Sequence, residues 1–194
     1  MAFHGKFNQQ MNWTNQLNHL ETPTYIIDES KLIKNMNIIN VIKQATNCKI
    51  ILALKGFATY YTFPIISNVL DGTTASSVYE ARLGYEEFKK EQHGLGVALN
   101  ENDLKALNKL CSHLTLNSIN QLNQLIKIQN NKQKKTSIGL RINPKVSTTK
   151  TELYNPCQPY SRLGIPIDQF KKKYFDMIDG LHFHTLCEQN TDSL

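Results

Sequence analysis

Short apolar segments of strand length alternate along the chain with longer segments of helical spacing, at intervals of about twenty residues. Neighbouring strands of a parallel sheet need a long crossover connection, usually a helix, so this rhythm is typical of parallel β/α units. The strand segments are apolar runs more than strict alternations, as is expected when both faces of a sheet are buried. The predicted strands cover residues 24–27, 49–54, 72–75, 94–99, 114–117, 137–143 and 180–185.

The predicted helices fill the intervals between these strands, with apolar side chains recurring at helical spacing. The first helix follows Asp28 or Ser30, either of which can accept hydrogen bonds from the free amides of the first turn, and it runs to about Ala45. The others cover approximately residues 59–70, 77–91, 101–111, 118–128 and 167–175. From residue 49 onward, the strands and helices therefore form six β/α units.

Two architectures accommodate such units: a closed (β/α)8 barrel and an open, doubly wound sheet. An open nucleotide-binding sheet usually has a glycine-rich turn after its first strand, but the turn here is Lys55-Gly56-Phe57, with no G-x-G-x-x-G pattern. A barrel carries its functional side chains where the strands end. Polar residues stand at those ends: Lys55, Thr74 with Ser76 and Ser77, Asn117 with Ser118, Arg141 with Asn143, and His184. We therefore predict an α/β fold of the (β/α)8 barrel type, truncated to about six units.

Lys55 is the first candidate for chemistry, because an apolar strand leads directly into it and Gly56 follows. If Lys55 is buried, its charged form loses solvation, its pKa falls, and the neutral amine can form an imine with a carbonyl group. The alternative is a strand that ends with its first polar residue in water, as most strand-terminal lysines do. The spacing alone leaves both interpretations open.

The length and composition are those of a globular chain with one main domain. With 194 residues, 40% hydrophobic and 20% charged, the sequence can supply one sizeable core. We assign residues 1–22 to an N-terminal arm and residues 23–194 to the partial barrel. There is no apolar run of membrane-spanning length, and the first residues lack the apolar core of a signal peptide, so we expect a cytoplasmic protein.

The charge and the cysteines argue against other classes of site. The net charge of +6 comes from scattered lysines, and the clusters at 132–135 and 171–173 lack the interleaved aromatic residues of a nucleic-acid-binding face. Cys48, Cys111, Cys157 and Cys187 are far apart and form no C-x-x-C pair. We therefore predict no nucleic-acid site, no metal site and no disulfide framework.

Six sequence blocks, in order and in register from residue 22 onward, resemble one enzyme family. They are TPTYIID at 22–28, LALKGF at 52–57, DGTTASS at 71–77 with EARLG at 80–84, LRINP at 140–144, YNPC at 154–157 with SRLG at 161–164, and GLHFHTLCEQN at 180–190. These blocks resemble the carboxynorspermidine (carboxyspermidine) decarboxylases. That family uses pyridoxal 5′-phosphate and has the alanine racemase-type fold, alongside the ornithine, arginine and diaminopimelate decarboxylases. The chain resembles the N-terminal part of such an enzyme, without its late barrel units and C-terminal β-domain.

The resemblance implies a set of site residues and a reaction. Lys55 would carry pyridoxal 5′-phosphate covalently, His184 would stack on the pyridine ring, and Arg141 would lie near the cofactor. Thr74 occupies the place where ornithine decarboxylase-like relatives have an aspartate facing that histidine. The reaction implied is decarboxylation of carboxynorspermidine or carboxyspermidine to norspermidine or spermidine, by a homodimer in the full-length family. Glu80 matches a carboxylate near the active site of relatives, although a solvated helix face is an equal alternative.

The segment 144–165 is long and without a periodic pattern, and segments of this kind in a compact domain are usually functional. It follows a strand at the rim, so we predict substrate contacts from Tyr154, Asn155 and Arg162, together with Glu188 of the TLCEQ block. An insertion without function is the alternative. Two other functions also remain open: another decarboxylase of the same fold, such as one acting on diaminopimelate, and a non-catalytic cofactor-binding or partner protein.

Overall fold

The structure, a computed structural model, describes residues 17–129 and 136–186. Predictions that rest on residues 1–16, on the lysine cluster at 132–135, or on Cys187 and Glu188 lie outside these residues. The first described helix, α1 (Glu29–Thr46), begins where Asp28 accepts hydrogen bonds from the amides of Ser30 and Lys31. It ends at Asn47, which adopts the left-handed conformation of a C-terminal cap. The predicted cap at Asp28 is therefore confirmed.

The strands form one parallel sheet. They are β1 (Ile51–Ala53), β2 (Gly72–Ala75), β3 (Glu91–Gly96), β4 (His113–Leu116), β5 (Ser137–Asn143), β6 (Ile165–Pro166) and β7 (Gly180–His182). Strands β1 to β5 pair in chain order, and both β6 and β7 pair with β5. Every pairing is parallel. The predicted parallel β/α architecture is therefore confirmed, and β2 and β5 have the predicted boundaries.

Helices connect the strands and cover one face of the sheet. They are α2 (Phe63–Ser67) after a 3-10 turn at Tyr60–Thr62, α3 (Val78–Leu83) continued by a π turn at Gly84–Phe88, α4 (Glu101–Leu110) and α5 (Ile119–Gln129). Further 3-10 turns lie at Glu152–Tyr154, Ile167–Gln169 and Lys172–Met177. The main core lies between α4, α5 and the sheet, where Leu104, Leu107, Leu122 and Leu125 pack with buried strand residues. None of the helices in the described part of the chain is long and apolar enough to cross a membrane.

The strand pattern gives the sheet two different faces. In β3, Gln92, Gly94 and Gly96 are buried beneath the helices, whereas Glu91, His93 and Leu95 alternate with them and are only partly buried. The second face is the one that would form the interior of the predicted barrel. The side chains discussed below lie on this face or where its strands end.

Two of the predicted elements are wrong, and several others begin or end a few residues from the predicted positions. Residues 24–27 form no strand, because no described strand pairs with them, and Tyr25 is fully exposed. The helix predicted at 167–175 is instead two 3-10 turns, since Phe170 and Lys171 adopt extended backbone angles that direct Phe170 toward the core. Strand β3 begins at Glu91, three residues before the predicted start. The start of β3 was missed because its first residues are polar and the prediction relied on apolar runs. Gln92 is nevertheless buried, and its side-chain oxygen accepts a hydrogen bond from the Thr73 hydroxyl.

Candidate active site

A cavity of about 350 Å³ opens where several of the parallel strands end. Its lining residues come from β3 and β5 and from the segments that follow β1, β2, β3, β5 and β7: Lys55, Ser76, Leu95, Gly96, Val97, Arg141, Tyr154, Pro156, Leu163 and His184. The structure thus brings together three residues that the sequence predicted at the site, namely Lys55, Arg141 and His184. Tyr154, predicted as a substrate contact, also lines this cavity.

Lys55 is presented to the cavity by a tight turn at the end of β1. The amides of Gly56 and Phe57 both donate to the Ala53 carbonyl, at 3.0 and 3.2 Å, and this turn ends the strand. Of the two interpretations that the spacing left open for Lys55, the structure has the exposed one, because the residue is exposed. Strand β1 pairs only with β2 in the described structure, so no strand covers the other side of the turn. The Lys55 amine therefore faces an open cavity.

Arg141, on β5, is the buried cation of the cavity. It is only 6% exposed, and within the described residues its guanidinium has no hydrogen bond and no ion pair. Burial lowers the pKa of Arg141, although a guanidinium stays protonated in proteins. A buried charge without a counter-ion is costly, and an anionic ligand would remove that cost. The surroundings of Arg141 therefore suit the carboxylate or phosphate group of a ligand.

Two histidines of the β7 segment lie beside this guanidinium. His182 pairs with Arg141 across β5 and β7, and its Nδ1 is buried with no hydrogen-bond partner among the described residues. Burial, with the charges of Arg141 and His184, lowers the pKa of His182 to about 4. Partial burial, Arg141 and Lys55 also lower the pKa of His184. Both imidazoles are therefore neutral at neutral pH, and the unpaired Nδ1 of His182 is a feature that the sequence did not indicate.

The segment 144–165 is held over the cavity by Asn117, at the end of β4. The Asn117 amide group donates to the Arg162 carbonyl and accepts from the Gly164 amide, both at 2.8 Å. Asn155 caps a local turn by accepting from the Cys157 amide, and the Arg162 side chain is exposed. Neither residue lines the cavity, so their predicted substrate contacts stay predictions. The segment is not a loosely attached insertion, because Asn117 binds it at two points.

At the end of β2, the residue that lines the cavity is not the one that was predicted. Ser76 lines it, whereas Thr74 does not and instead accepts the Leu54 amide through its carbonyl at 3.0 Å. The cofactor contact predicted for Thr74 stays a prediction. Glu80 accepts the Ser76 amide at 2.7 Å, and Ser77 accepts the Glu80 amide at 3.2 Å. Glu80 therefore helps to fix the start of α3 at the cavity rim.

Gly164 is expected to be required for the shape of this site. Its φ of +85° is unfavourable for other residues, and a Cβ there would lie 3.0 Å from both the Cγ and the carbonyl oxygen of Arg141. Replacing Gly164 with alanine should lower the free energy of unfolding by about 1–3 kcal/mol. Gly180→Ala is the matched control, since nothing lies within 4 Å of a Cβ at that position. Urea unfolding measures the free energy of unfolding of both variants. An equal loss of stability in Gly164→Ala and Gly180→Ala would contradict the prediction.

Acid should destabilise the chain through His182. Its pKa is lowered in the folded state, so the unfolded state binds more protons and stability falls as the pH drops from 6.5 toward 4. Replacing His182 with asparagine should reduce this loss. The measurement is the urea midpoint at pH 7 and pH 5 for both proteins. An unchanged pH dependence in His182→Asn would contradict the assignment, with His184→Asn as the comparison for the second lowered pKa.

Comparisons with known proteins agree with this geometry. No protein-family profile matches the sequence. The chain is 38% identical over 175 residues to a carboxynorspermidine/carboxyspermidine decarboxylase of Campylobacter jejuni, covering 90% of this chain and 45% of that protein. It is also 38% identical over 175 residues to a carboxyaminopropylagmatine decarboxylase of Synechocystis, with the same coverage.

A solved structure shows the same arrangement of elements. It is the carboxynorspermidine decarboxylase of Campylobacter jejuni, complexed with norspermidine, which has a TM-score of 0.77 and 34% sequence identity. The match covers 90% of this chain and 44% of that one, so the chain spans a little under half the length of the relatives it matches. The resemblance in the sequence blocks is therefore confirmed, and the chain is similar in sequence and fold to part of a carboxynorspermidine/carboxyspermidine decarboxylase.

Proposed function

We propose that this chain carries the cofactor-binding lysine of a decarboxylase that converts carboxynorspermidine or carboxyspermidine into norspermidine or spermidine. The observation that carries the proposal is one cavity containing an exposed amine, at Lys55, and a buried guanidinium, at Arg141, which has no counter-ion among the described residues. The relatives from Campylobacter jejuni support it, because both are named for this decarboxylation and the solved one is complexed with norspermidine.

The described residues suit pyridoxal 5′-phosphate, which combines an aldehyde, an aromatic ring and a phosphate. Lys55 Nζ would hold the aldehyde carbon, and Arg141 would pair with an anionic oxygen of the cofactor or the substrate. A neutral His184 can pack against an aromatic ring without adding a third positive charge to Lys55 and Arg141. Thr74, from β2, is the remaining proposed contact. When bound, the cofactor would supply the electron sink that decarboxylation needs.

The chain's own residues would orient the leaving carboxylate and return a proton. Loss of carbon dioxide leaves a carbon that must take up one proton, and Lys55 Nζ, which lines the cavity, carries N–H groups that could donate it. Tyr154, Pro156 and Leu163 also line the cavity, so the segment held by Asn117 would restrict water around that carbon. Arg141 would attract the substrate carboxylate by charge.

The amines of a polyamine need acidic partners that the described cavity does not supply. Among the described lining residues there is no carboxylate. We propose Glu188, which lies outside the described residues, as one acidic partner, with Asn155 and Arg162 as further contacts at the edge of the substrate. Other partners would come from the part of the relatives that this chain does not match, and from a second subunit if the protein acts as a homodimer. Analytical ultracentrifugation tests the dimer.

A second candidate substrate is carboxyaminopropylagmatine. The Synechocystis relative named for its decarboxylation is as similar to this chain as the Campylobacter jejuni relative is, at 38% identity. Both names describe a carboxylated, cationic substrate. The residues of the described cavity would contact the shared carboxylate end and would not distinguish the cationic ends.

The test uses a hybrid in which this chain replaces the matching part of the Campylobacter jejuni decarboxylase. Release of carbon dioxide is measured from carboxynorspermidine, carboxyaminopropylagmatine and diaminopimelate. We expect turnover of a carboxylated polyamine and little turnover of diaminopimelate, and a preference for diaminopimelate would contradict the proposal. The isolated chain is the comparison, with little or no expected activity, because β1 and β7 each pair with a single described strand and leave the sheet open.

A further inference from the structure

Three potential metal ligands converge on the partly buried sheet face, away from the cavity. Glu91 and His93 are two residues apart in β3 and so share a face, and His113 pairs with His93 across β3 and β4. Glu91 Oε1 lies 3.0 Å from His93 Nε2 and 2.7 Å from His113 Nε2. One donor atom from each residue lies within 4.8 Å of the other two. The three side chains are therefore close enough to share one ion.

We propose that Glu91, His93 and His113 bind a divalent transition-metal ion of the zinc type. Two imidazole nitrogens and one carboxylate oxygen form a donor set that suits zinc and similar metals better than magnesium or calcium, which prefer oxygen ligands alone. Tetrahedral bonds of about 2.0–2.2 Å place the donors about 3.3–3.6 Å apart. Each imidazole would therefore move away from Glu91 Oε1 by less than about 1 Å to bind the ion. A fourth position stays available for water. The side chains are 18–38% exposed, which gives the ion a path from solvent.

Lys49 binds the second oxygen of the Glu91 carboxylate. Its Nζ lies 2.6 Å from Glu91 Oε2, so it occupies one carboxylate oxygen while both imidazoles converge on the other. Lys49 is 69% exposed, and an ion pair in that setting contributes little to stability. A partner on the outer oxygen of a ligating carboxylate is the usual way in which such a ligand is oriented. We therefore assign Lys49 to positioning Glu91.

The site lies toward the start of the strands, whereas the cavity lies where they end. His93 precedes Leu95, a cavity residue, by two positions on the same strand, which corresponds to about 7 Å. A bound ion would link β3 to β4 and, through Lys49, to the segment before β1. Its role would be to stabilise the sheet and not to take part in decarboxylation. The spacing of the cysteines predicted no metal site, and the two histidines are brought together only by the register of β3 with β4.

Zinc titration of the 194-residue chain by isothermal calorimetry tests the proposal. We expect one zinc ion per chain, a higher melting temperature with zinc, and a loss of affinity of about 100-fold or more in His93→Ala and His113→Ala. Glu91→Gln, which keeps the shape but removes the charge, should lose at least about tenfold. His184→Ala is the matched control, because it also removes one histidine but from the cavity, and zinc binding should be unchanged.

Far-UV circular dichroism shows whether each variant is folded. If His113→Ala does not fold, His113→Gln keeps most of the bulk and should show the same loss. A wild-type chain that is folded but binds no zinc would overturn the proposal, as would folded variants at Glu91, His93 and His113 that bind it normally. Cobalt substitution gives an independent measurement: absorption typical of nitrogen and oxygen ligands supports the site, whereas thiolate charge-transfer bands assign the ion to a cysteine.

Discussion

Replacing Lys55 with alanine should abolish covalent attachment of pyridoxal 5′-phosphate and reduce decarboxylation on the order of 10³-fold or more in the hybrid enzyme. The reason is that Lys55 is the only lysine among the described residues lining the cavity. Borohydride reduction of the cofactor-loaded hybrid, followed by digestion and mass spectrometry, should find the pyridoxyl group on Lys55. The activity of the same preparation measures the loss of turnover.

Lys105→Ala is the matched control for this experiment. Lys105 lies on the exposed surface of α4, where it pairs with Glu101, and its removal should leave both labelling and turnover unchanged. A pyridoxyl group on another lysine, or normal turnover by Lys55→Ala, would contradict the assignment. The first result would identify another lysine as the reactive amine, and the second would show that turnover does not need Lys55.

Replacing Arg141 with methionine should have opposite effects on stability and on cofactor binding. Without ligand, the change removes a buried cation that has no counter-ion in the described structure, so the free energy of unfolding of the chain should rise by about 1 kcal/mol or more. With ligand, it removes the proposed partner of an anionic oxygen, and cofactor affinity in the hybrid should fall by about 100-fold. Methionine keeps much of the apolar volume of the arginine stem.

Two measurements separate these effects. Urea unfolding of the cofactor-free chain gives the change in stability, and titration of the hybrid with pyridoxal 5′-phosphate, followed by absorbance, gives the affinity. Arg162→Met is the control, because that side chain is exposed and should change neither quantity much. A variant at Arg141 that is less stable and binds the cofactor normally would show that the guanidinium has a structural role.

Sequence patterns predicted the features that depend on local interactions. The strands β2 and β5 and the cap of α1 at Asp28 follow from apolar runs and from the chemistry of the first helical turn. The polar residues after the strands were also predicted to meet, because parallel strands end at the same edge of a sheet. Lys55, Arg141 and His184 do line one cavity. Their assigned roles came from resemblance and not from spacing.

Features that depend on distant parts of the chain were not predictable in this way. The apolar segment at 24–27 looks like a strand, but a strand needs a partner, and the described residues provide none. The exposure of Lys55 depends on which strands flank β1. The double contact of Asn117 with the segment ending at Gly164 joins positions more than forty residues apart. The convergence of His93 and His113 depends on the register of β3 with β4.

The order of the strands also has a consequence for how the chain folds. Residues paired between β1 and β2 are about twenty positions apart, as in Ile51 with Gly72, whereas Gly139 and Gly180, paired between β5 and β7, are about forty apart. Closing a longer loop costs more chain entropy, and distant pairings form more slowly. The early units can therefore assemble by successive local steps. The segment carrying His182 and His184 is expected to pack onto β5 late in folding. His184 would then reach the cavity after Lys55 has been placed there.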